Sequence, residues 1–319
     1  MKAQRDEFIE YLFNEAKSDP DIIFISVDMG APALDQWREE LPNQFVAAGI
    51  SEQNAINFAA GLAAAGKKPY VYMMACWVAR CFEQIRYSCA MPQNDVTIIG
   101  NGVALGYAPA GPAHEPTEDL CYMRAIEGIE IISPSTPAHV RFIAERTLKV
   151  PALRYIRLER SVATRLIERK SAPLDTGVDL LRQFDGQGGP QLTILSSGYL
   201  LDRAIDVAND LSIATNWSVQ ILDVWKIKPL NLEALSVFIS GSDLLITLEE
   251  QARDGAFGAA ILEAVSDLEL MIPTVRLSLS SAYAFENGSR DELLDQYGLS
   301  REEIKRRILG AIERRTKND

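Results

Sequence analysis

Histidine is scarce in this chain, with two in 319 residues, and cysteine is sparse, with four: Cys76, Cys81, Cys89 and Cys121. None of the cysteines forms a CxxC pair, so no zinc site of the usual spacing is expected. They read as reduced, mostly buried thiols of a cytoplasmic protein. No continuous apolar run approaches the roughly 20 residues that a membrane-spanning helix needs. No Lys/Arg-rich run stands out, and the formal net charge is −12. That balance argues against nucleic acid and anionic membrane surfaces as partners. The opening stretch MKAQRDEFIEYLFNEA carries acids inside its apolar pattern, which is not how a secretory signal is built. Short internal repeats and low-complexity tails are also missing, apart from a few charged residues at the end.

Apolar residues make up 47% of the chain, enough for sizeable cores, and the length suggests about two domains. Phe8, Ile9, Leu12, Phe13 and Ala16 fall on one side of a first amphipathic helix. Short β-branched runs then alternate with helical patterns. Strands are expected at 22–27, 69–74, 95–100, 129–133 and 153–157, and helices near 52–66, 76–90, 117–127 and 136–147. This alternation specifies an α/β fold with a parallel sheet covered on both faces. The pattern fades between 161 and 190, where GQGGPQ is the clearest break, so a linker is expected there. A second α/β block follows, with strands at 192–196, 219–223, 244–248 and 274–277, and helices at 199–214, 231–240, 256–267 and 300–315. The expected domains are therefore 1–160 and 191–319, each built on a parallel sheet.

Three stretches invite a chemical reading. In AGISEQN, Glu52 stands at the mouth of a helix of small, apolar residues. It either caps that helix, since acids favour helix N-termini, or is a buried acid with a chemical task. GNGVALG follows a strand but opens no helix after its last glycine, so it is not a dinucleotide loop. Asp254-Gly255-Ala256-Phe257-Gly258 opens a helix whose N–H groups could hold an anion, although close packing of the helix start on a neighbour explains its glycines more simply. Glu249 and Glu250 end the preceding strand and suit salt bridges or an interface.

The run FVAAGISEQNAINFAAGLAAAGKKPYVY resembles the pyrimidine-binding domain of transketolase-type thiamine diphosphate enzymes. FEQIR, GPAHEPTEDL, RAIEGIEIISPSTPAH and YIRLER fall at the family's spacings. LDVWKIKPLN, LEEQARDGAFGAA and FENGSRDELLDQYGL resemble its C-terminal domain. The resemblance covers nearly the whole chain in order. It implies a pyrimidine-binding domain followed by a transketolase C-terminal domain. No GDG-type motif with a following Asn, the family's site for Mg²⁺ and the cofactor diphosphate, matches anywhere. The resemblance therefore implies one half of a split enzyme, with Mg²⁺ (or Ca²⁺) and the diphosphate held mainly by an N-terminal-half partner subunit.

Family enzymes use a carboxyl group on the aminopyrimidine ring of thiamine diphosphate to help the cofactor lose its thiazolium proton. A carboxyl shielded from bulk water shares a proton readily. The matching residue is Glu52. Aligned through FEQIR, the two Phe positions that wall the ring fall on Met73 and Cys76, and the following Tyr on Phe82. Trp77 supplies the wall if the alignment shifts by one. Sulfur in Met and Cys can contact an aromatic face, and packing in the core is an equally good reason for each of these side chains. His114 matches the family histidine near the donor's reacting hydroxyl and carbonyl, where imidazole suits proton transfer. Arg160, and more weakly Arg5, match phosphate-binding positions, and a surface salt bridge is an equally good reason for Arg160. Two departures stand out: Ala110 replaces an Asp that recognises a substrate hydroxyl, and Gly102 replaces a His that binds the sugar phosphate. Exchange of ordinary pentose and hexose phosphates is then not the expected reaction in detail.

The resemblance implies a transferase that moves a two-carbon ketol unit from a ketose to an aldehyde or aldose, working on small sugar substrates within an α2β2 heterotetramer or a similar assembly. Two alternatives remain open at this point. One is a β subunit of a 2-oxo acid decarboxylating dehydrogenase, or a deoxyxylulose-phosphate-synthase-like enzyme. The other is a non-catalytic regulatory paralogue.

Overall fold

The computed structural model describes residues 2–160, 174–186, 188–279, 283 and 285–316. The chain divides into two compact units, Met1–Tyr107 with Ala113–Thr164, and Ala108–Pro112 with Arg165–Asp319. Each is an α/β layer structure on a parallel-dominated sheet.

In the first unit, α1 (Gln4–Ala16) buries Phe8, Ile9, Leu12, Phe13 and Ala16, the stripe expected from the sequence. Strand β1 (Ile22–Ser26) is buried along its whole length, as a central parallel strand covered on both faces must be. A short helix α2 (Ala33–Glu40) and edge strand β2 (Phe45–Ala47) follow. Trp37 of α2 is fully buried against Phe13 and Phe24, with ring centroids 5.8 and 5.1 Å apart. Helix α3 (Glu52–Ala64) and strand β3 (Lys68–Met74) pack closely, because alanines line the buried side of the helix.

The single helix expected over 76–90 is three pieces. Ala75–Cys81 is a 3₁₀ stretch, α4 (Phe82–Gln84) is one α turn, and Ile85–Ala90 is a wider π stretch. The buried residues explain this change of pitch. Ala75, Val78 and Cys81 recur every third residue, which is the 3₁₀ repeat, whereas Ile85 and Cys89 are four apart. Strands β4 (Thr97–Asn101), β5 (Glu130–Ile132) and β6 (Arg154–Leu158) complete the sheet, with helices α5 (Asp119–Arg124) and α6 (Pro137–Lys149) between them. Thr136 caps α6 by accepting the His139 N–H at 3.2 Å, and Pro137 occupies its first turn.

These strands run in the order β5-β6-β4-β3-β1-β2, every neighbour parallel. Met74 pairs with Asn101, and Asn101 with Leu158, so the C-terminal ends of β3, β4 and β6 lie side by side. Open α/β sheets bind ligands at that edge.

In the second unit, β7 (Val178–Phe184) lies inside the stretch expected to be linker. It pairs antiparallel with β9, and a register shift between Leu180 and Arg182 breaks its alternation. A bulge of this kind hides the two-residue period that marks a strand. The rest of that stretch at 161–173, with Gln187, lies outside the described residues. Then come β8 (Gln191–Ser196), α7 (Leu201–Ala214), β9 (Ser218–Val224), a short β10 (Lys226–Lys228), α8 (Leu232–Ile239), β11 (Leu244–Leu248), α9 (Phe257–Asp267), β12 (Thr274–Leu277), α10 (Arg290–Leu294) and α11 (Arg301–Thr316). The sheet order is β12-β11-β8-β9-β7, parallel except for β7. Among the described residues, no helix is long and apolar enough to cross a membrane.

Candidate active site

Glu52 occupies the first turn of α3 and is 4% exposed. Among the described residues it accepts no backbone hydrogen bond. Its partner is the guanidinium of Arg80, whose Nη1 stands 3.4 Å from both carboxylate oxygens. The Arg80 side chain is half exposed, and its carbonyl accepts a hydrogen bond from Gln53 Nε2 at 3.0 Å. Among the described residues, Glu52 therefore presents a buried carboxylate to one long ion pair rather than to the helix end.

Cys76 and Cys81 feel the charges of both Glu52 and Arg80. Burial pushes the Cys76 thiol up to about 11 and Cys81 up to about 12, so both stay protonated and unreactive at neutral pH. Trp77 is half-buried and stands edge-on to His114, with ring centroids 6.3 Å apart at 60°. His114 ends a short 3₁₀ turn, Pro112–His114, and its Nδ1 is buried without a hydrogen-bond partner among the described residues. The structure thus joins Glu52 to Cys76 electrostatically and Trp77 to His114 by ring contact. Met73 is fully buried in β3 and Phe82 is half-buried at the start of α4. Among the described residues, neither makes a ring contact or side-chain hydrogen bond with this group.

Arg5 and Arg160 belong to a neighbouring cluster. Arg160 is exposed, two residues beyond β6, with its Cζ 4.4 Å from the ring centroid of Tyr107. Arg5 is tied to Asp6 at 2.8 and 3.1 Å and acts electrostatically on both Tyr72 and Tyr107.

A buried ionic network supports the loop that carries His114. Arg157 Nε and Nη2 donate to Asp119 at 2.6 and 3.1 Å, Tyr155 donates to the same carboxylate at 2.8 Å, and Arg157 Nη1 reaches Ser133 at 3.2 Å. Arg157 and Asp119 are 3% and 0% exposed. The bidentate fork with a satisfying phenol is the geometry in which a buried pair survives desolvation, and it anchors the first residue of α5. The signal was present in RYIRLER: an arginine between Ile156 and Leu158 of a buried strand requires a buried acid. Arg80 and Tyr107 gave no such signal, because their partners are set by loop geometry.

Residues 2–164 match the family described as Transketolase, pyrimidine binding domain, and residues 183–304 match Transketolase, C-terminal domain. The chain belongs to the transketolase family, as a pyrimidine-binding and C-terminal domain pair. It is similar to one subunit of the apulose-4-phosphate transketolase of Phocaeicola vulgatus, 29% identical over 316 residues, covering 98% of this chain and 99% of that protein. It is also 29% identical over 303 residues to "1-deoxy-D-xylulose-5-phosphate synthase" of Thiobacillus denitrificans, covering 94% of this chain but 47% of that protein, so it spans about half of that relative. The solved structure described as "Split gene transketolase, inactive beta4 tetramer" is 26% identical, with a TM-score of 0.84 over 98% of this chain and 99% of that one.

Proposed function

We propose that this chain is the pyrimidine-side, β-type subunit of a split, thiamine-diphosphate-dependent transketolase, moving a two-carbon ketol unit from a ketose to an aldehyde or aldose acceptor. The observation that carries the reading is Glu52. A carboxylate 4% exposed and, among the described residues, without backbone bonds and opposed by one half-exposed arginine at 3.4 Å is available to a ring nitrogen. The residues that would hold the aminopyrimidine end of the cofactor are Glu52 for its proton and Cys76, Trp77, Phe82 and Met73 for its wall. When bound, thiamine diphosphate supplies the nucleophilic carbon that adds to a carbonyl. Glu52 holds and returns a proton at the ring nitrogen. His114, kept in place by Trp77 and the rigid proline loop, gives and takes a proton at a substrate hydroxyl. Arg160 and Arg5 bind the far end of the sugar. The diphosphate and its Mg²⁺ (or Ca²⁺) belong to the N-terminal-half partner subunit in an α2β2 or similar assembly. The description of a β-type relative alone as an inactive tetramer supports the need for that partner, and the name of another relative supports a phosphorylated sugar. Cys76, Cys81 and Cys89, without a disulfide among the described residues, fit the reducing cytoplasm.

The test is ketol transfer from xylulose 5-phosphate to an aldehyde acceptor by the chain mixed with a partner carrying the GDG-type motif. Glu52→Gln is expected to lower kcat by about 10²-fold or more while the thermal midpoint is kept. The synthase relatives favour a second reading on the same site, a deoxyxylulose-phosphate-synthase-like reaction. Decarboxylation of a 2-oxo acid without ketol transfer would establish it in place of the first. Unchanged turnover in Glu52→Gln would leave the non-catalytic reading.

A further inference from the structure

Outside the Glu52–His114 group, polar side chains gather at the C-terminal ends of β3, β4 and β6 around Tyr107. The ring of Tyr107 lies directly on Gly102. A Cβ at that glycine would stand 1.9 Å from Cε2 and 2.1 Å from Cδ2 of the ring, and the glycine has φ +72°, a conformation that disfavours other residues. Only glycine at 102 lets the ring sit there. The guanidinium of Arg160 covers the ring, 4.4 Å from its centroid. Asn101 Nδ2 donates to the Tyr107 hydroxyl at 3.0 Å, which leaves the phenol's own proton uncommitted. Burial raises the pKa of this phenol, so it keeps that proton at neutral pH.

Several groups here lack the partners that buried or charged groups normally have. Asn101 Oδ1 is buried with no hydrogen-bond partner among the described residues, while the buried Tyr72 hydroxyl faces the guanidinium of Arg5. Among those residues Arg160 has no carboxylate partner, and its contact is the Tyr107 ring. Arg5, partly neutralised by Asp6, acts on both phenols. Among the described residues, the two cations Arg160 and Arg5 and the Tyr107 hydroxyl, with Asp6 already engaged by Arg5, make an inventory that recognises an oxyanion.

We propose that Tyr107 is a specificity-determining residue: its hydroxyl donates to the oxyanionic head group of the substrate held by Arg160 and Arg5, while its ring, seated on Gly102, fixes the position of Arg160. That this head group belongs to a ketol donor or acceptor rests on the transketolase reading. The anion seat itself is measurable without turnover.

The full chain is titrated with inorganic phosphate, sulfate and acetate, and binding is read as a shift in thermal midpoint and as tryptophan fluorescence. The wild-type chain is expected to bind at least one of the three. The tightest names the head group: phosphate a sugar phosphate, sulfate a sulfonated sugar, acetate a sugar acid. Tyr107→Phe keeps the ring and removes the donor, and is expected to weaken that anion about tenfold, as loss of one hydrogen bond to a charged group does. Arg160→Met is expected to abolish binding. In the assembled enzyme, Tyr107→Phe raises KM for the anionic substrate with kcat within twofold, and leaves KM for an uncharged ketose such as erythrulose unchanged. Equal anion affinity in Tyr107→Phe and wild type would overturn the proposal, as would no anion binding by the wild type. A Glu52→Gln enzyme with full turnover would instead overturn the transketolase reading and leave the anion result standing.

Discussion

Glu115 shows what one residue beside the candidate site contributes. It follows His114, is 5% exposed, and has a buried Oε1 without a hydrogen-bond partner among the described residues. Burial pushes its carboxyl up to about 7. A carboxyl raised in the folded state stabilises the fold fully below the ordinary carboxylate pKa, and that contribution is lost as pH rises through the folded value. Between about pH 4.5 and 7 the wild type is therefore expected to lose about 1–3 kcal/mol relative to Glu115→Gln. Thermal unfolding of both from pH 5 to 8.5 checks this, and a constant difference across that range contradicts it. Glu52 itself was legible in the sequence, because a lone acid before NAINFAAGLAAA stands out against a helix otherwise made of small and apolar side chains. Its pairing with Arg80 was not legible. The two are 28 positions apart, and the contact depends on the pitch of the 3₁₀ stretch between β3 and α4.

At the scale of elements, helix α9 illustrates how a feature of one type can resolve into another. The glycines of DGAFG suggest an anion site at a helix start, yet the anion is already supplied from within the fold. Glu249, just past β11, accepts the Gly258 N–H at 2.9 Å through Oε1. A Cβ on Gly258 would lie 2.6 Å from that oxygen and 2.7 Å from Thr247 Oγ1. Close packing and an internal carboxylate thus explain the glycine, and Glu250 is engaged by Arg290 Nε at 2.8 Å. Gly258→Ala is expected to destabilise the fold by about 1–3 kcal/mol through overpacking. Glu249→Ala is expected to cost about the same, by leaving the helix N–H unsatisfied. Because the two groups touch, the double variant should fall short of the sum, and urea midpoints of the four proteins test this. Additive losses would mean that the contact is incidental. Elements with unbroken periodicity, such as α1 and β1, were legible from residue order alone. β7 and the 75–90 stretch were not, since a bulge and a change of helical pitch erase the simple periods on which such expectations rest.

For the whole molecule, alternating β-branched runs and small-residue helices sufficed to specify two α/β units on parallel sheets, and the family matches over 2–164 and 183–304 agree with that architecture. The substrate contacts proposed above rest on loop residues such as Gly102 and Tyr107, where spacing says little and geometry decides. A proposed partner is less legible still, because an interface leaves no period in a sequence.

The decisive measurement is calorimetric titration of thiamine diphosphate with Mg²⁺ into three samples: this chain, a GDG-bearing partner chain, and their mixture, each with wild-type and Glu52→Gln versions of this chain. Tight binding is expected only in the mixture, weakened or left without activity by Glu52→Gln. Tight binding by this chain alone, or a mixture in which Glu52→Gln changes neither affinity nor turnover, would contradict the assignment of the pyrimidine half of the site to this chain.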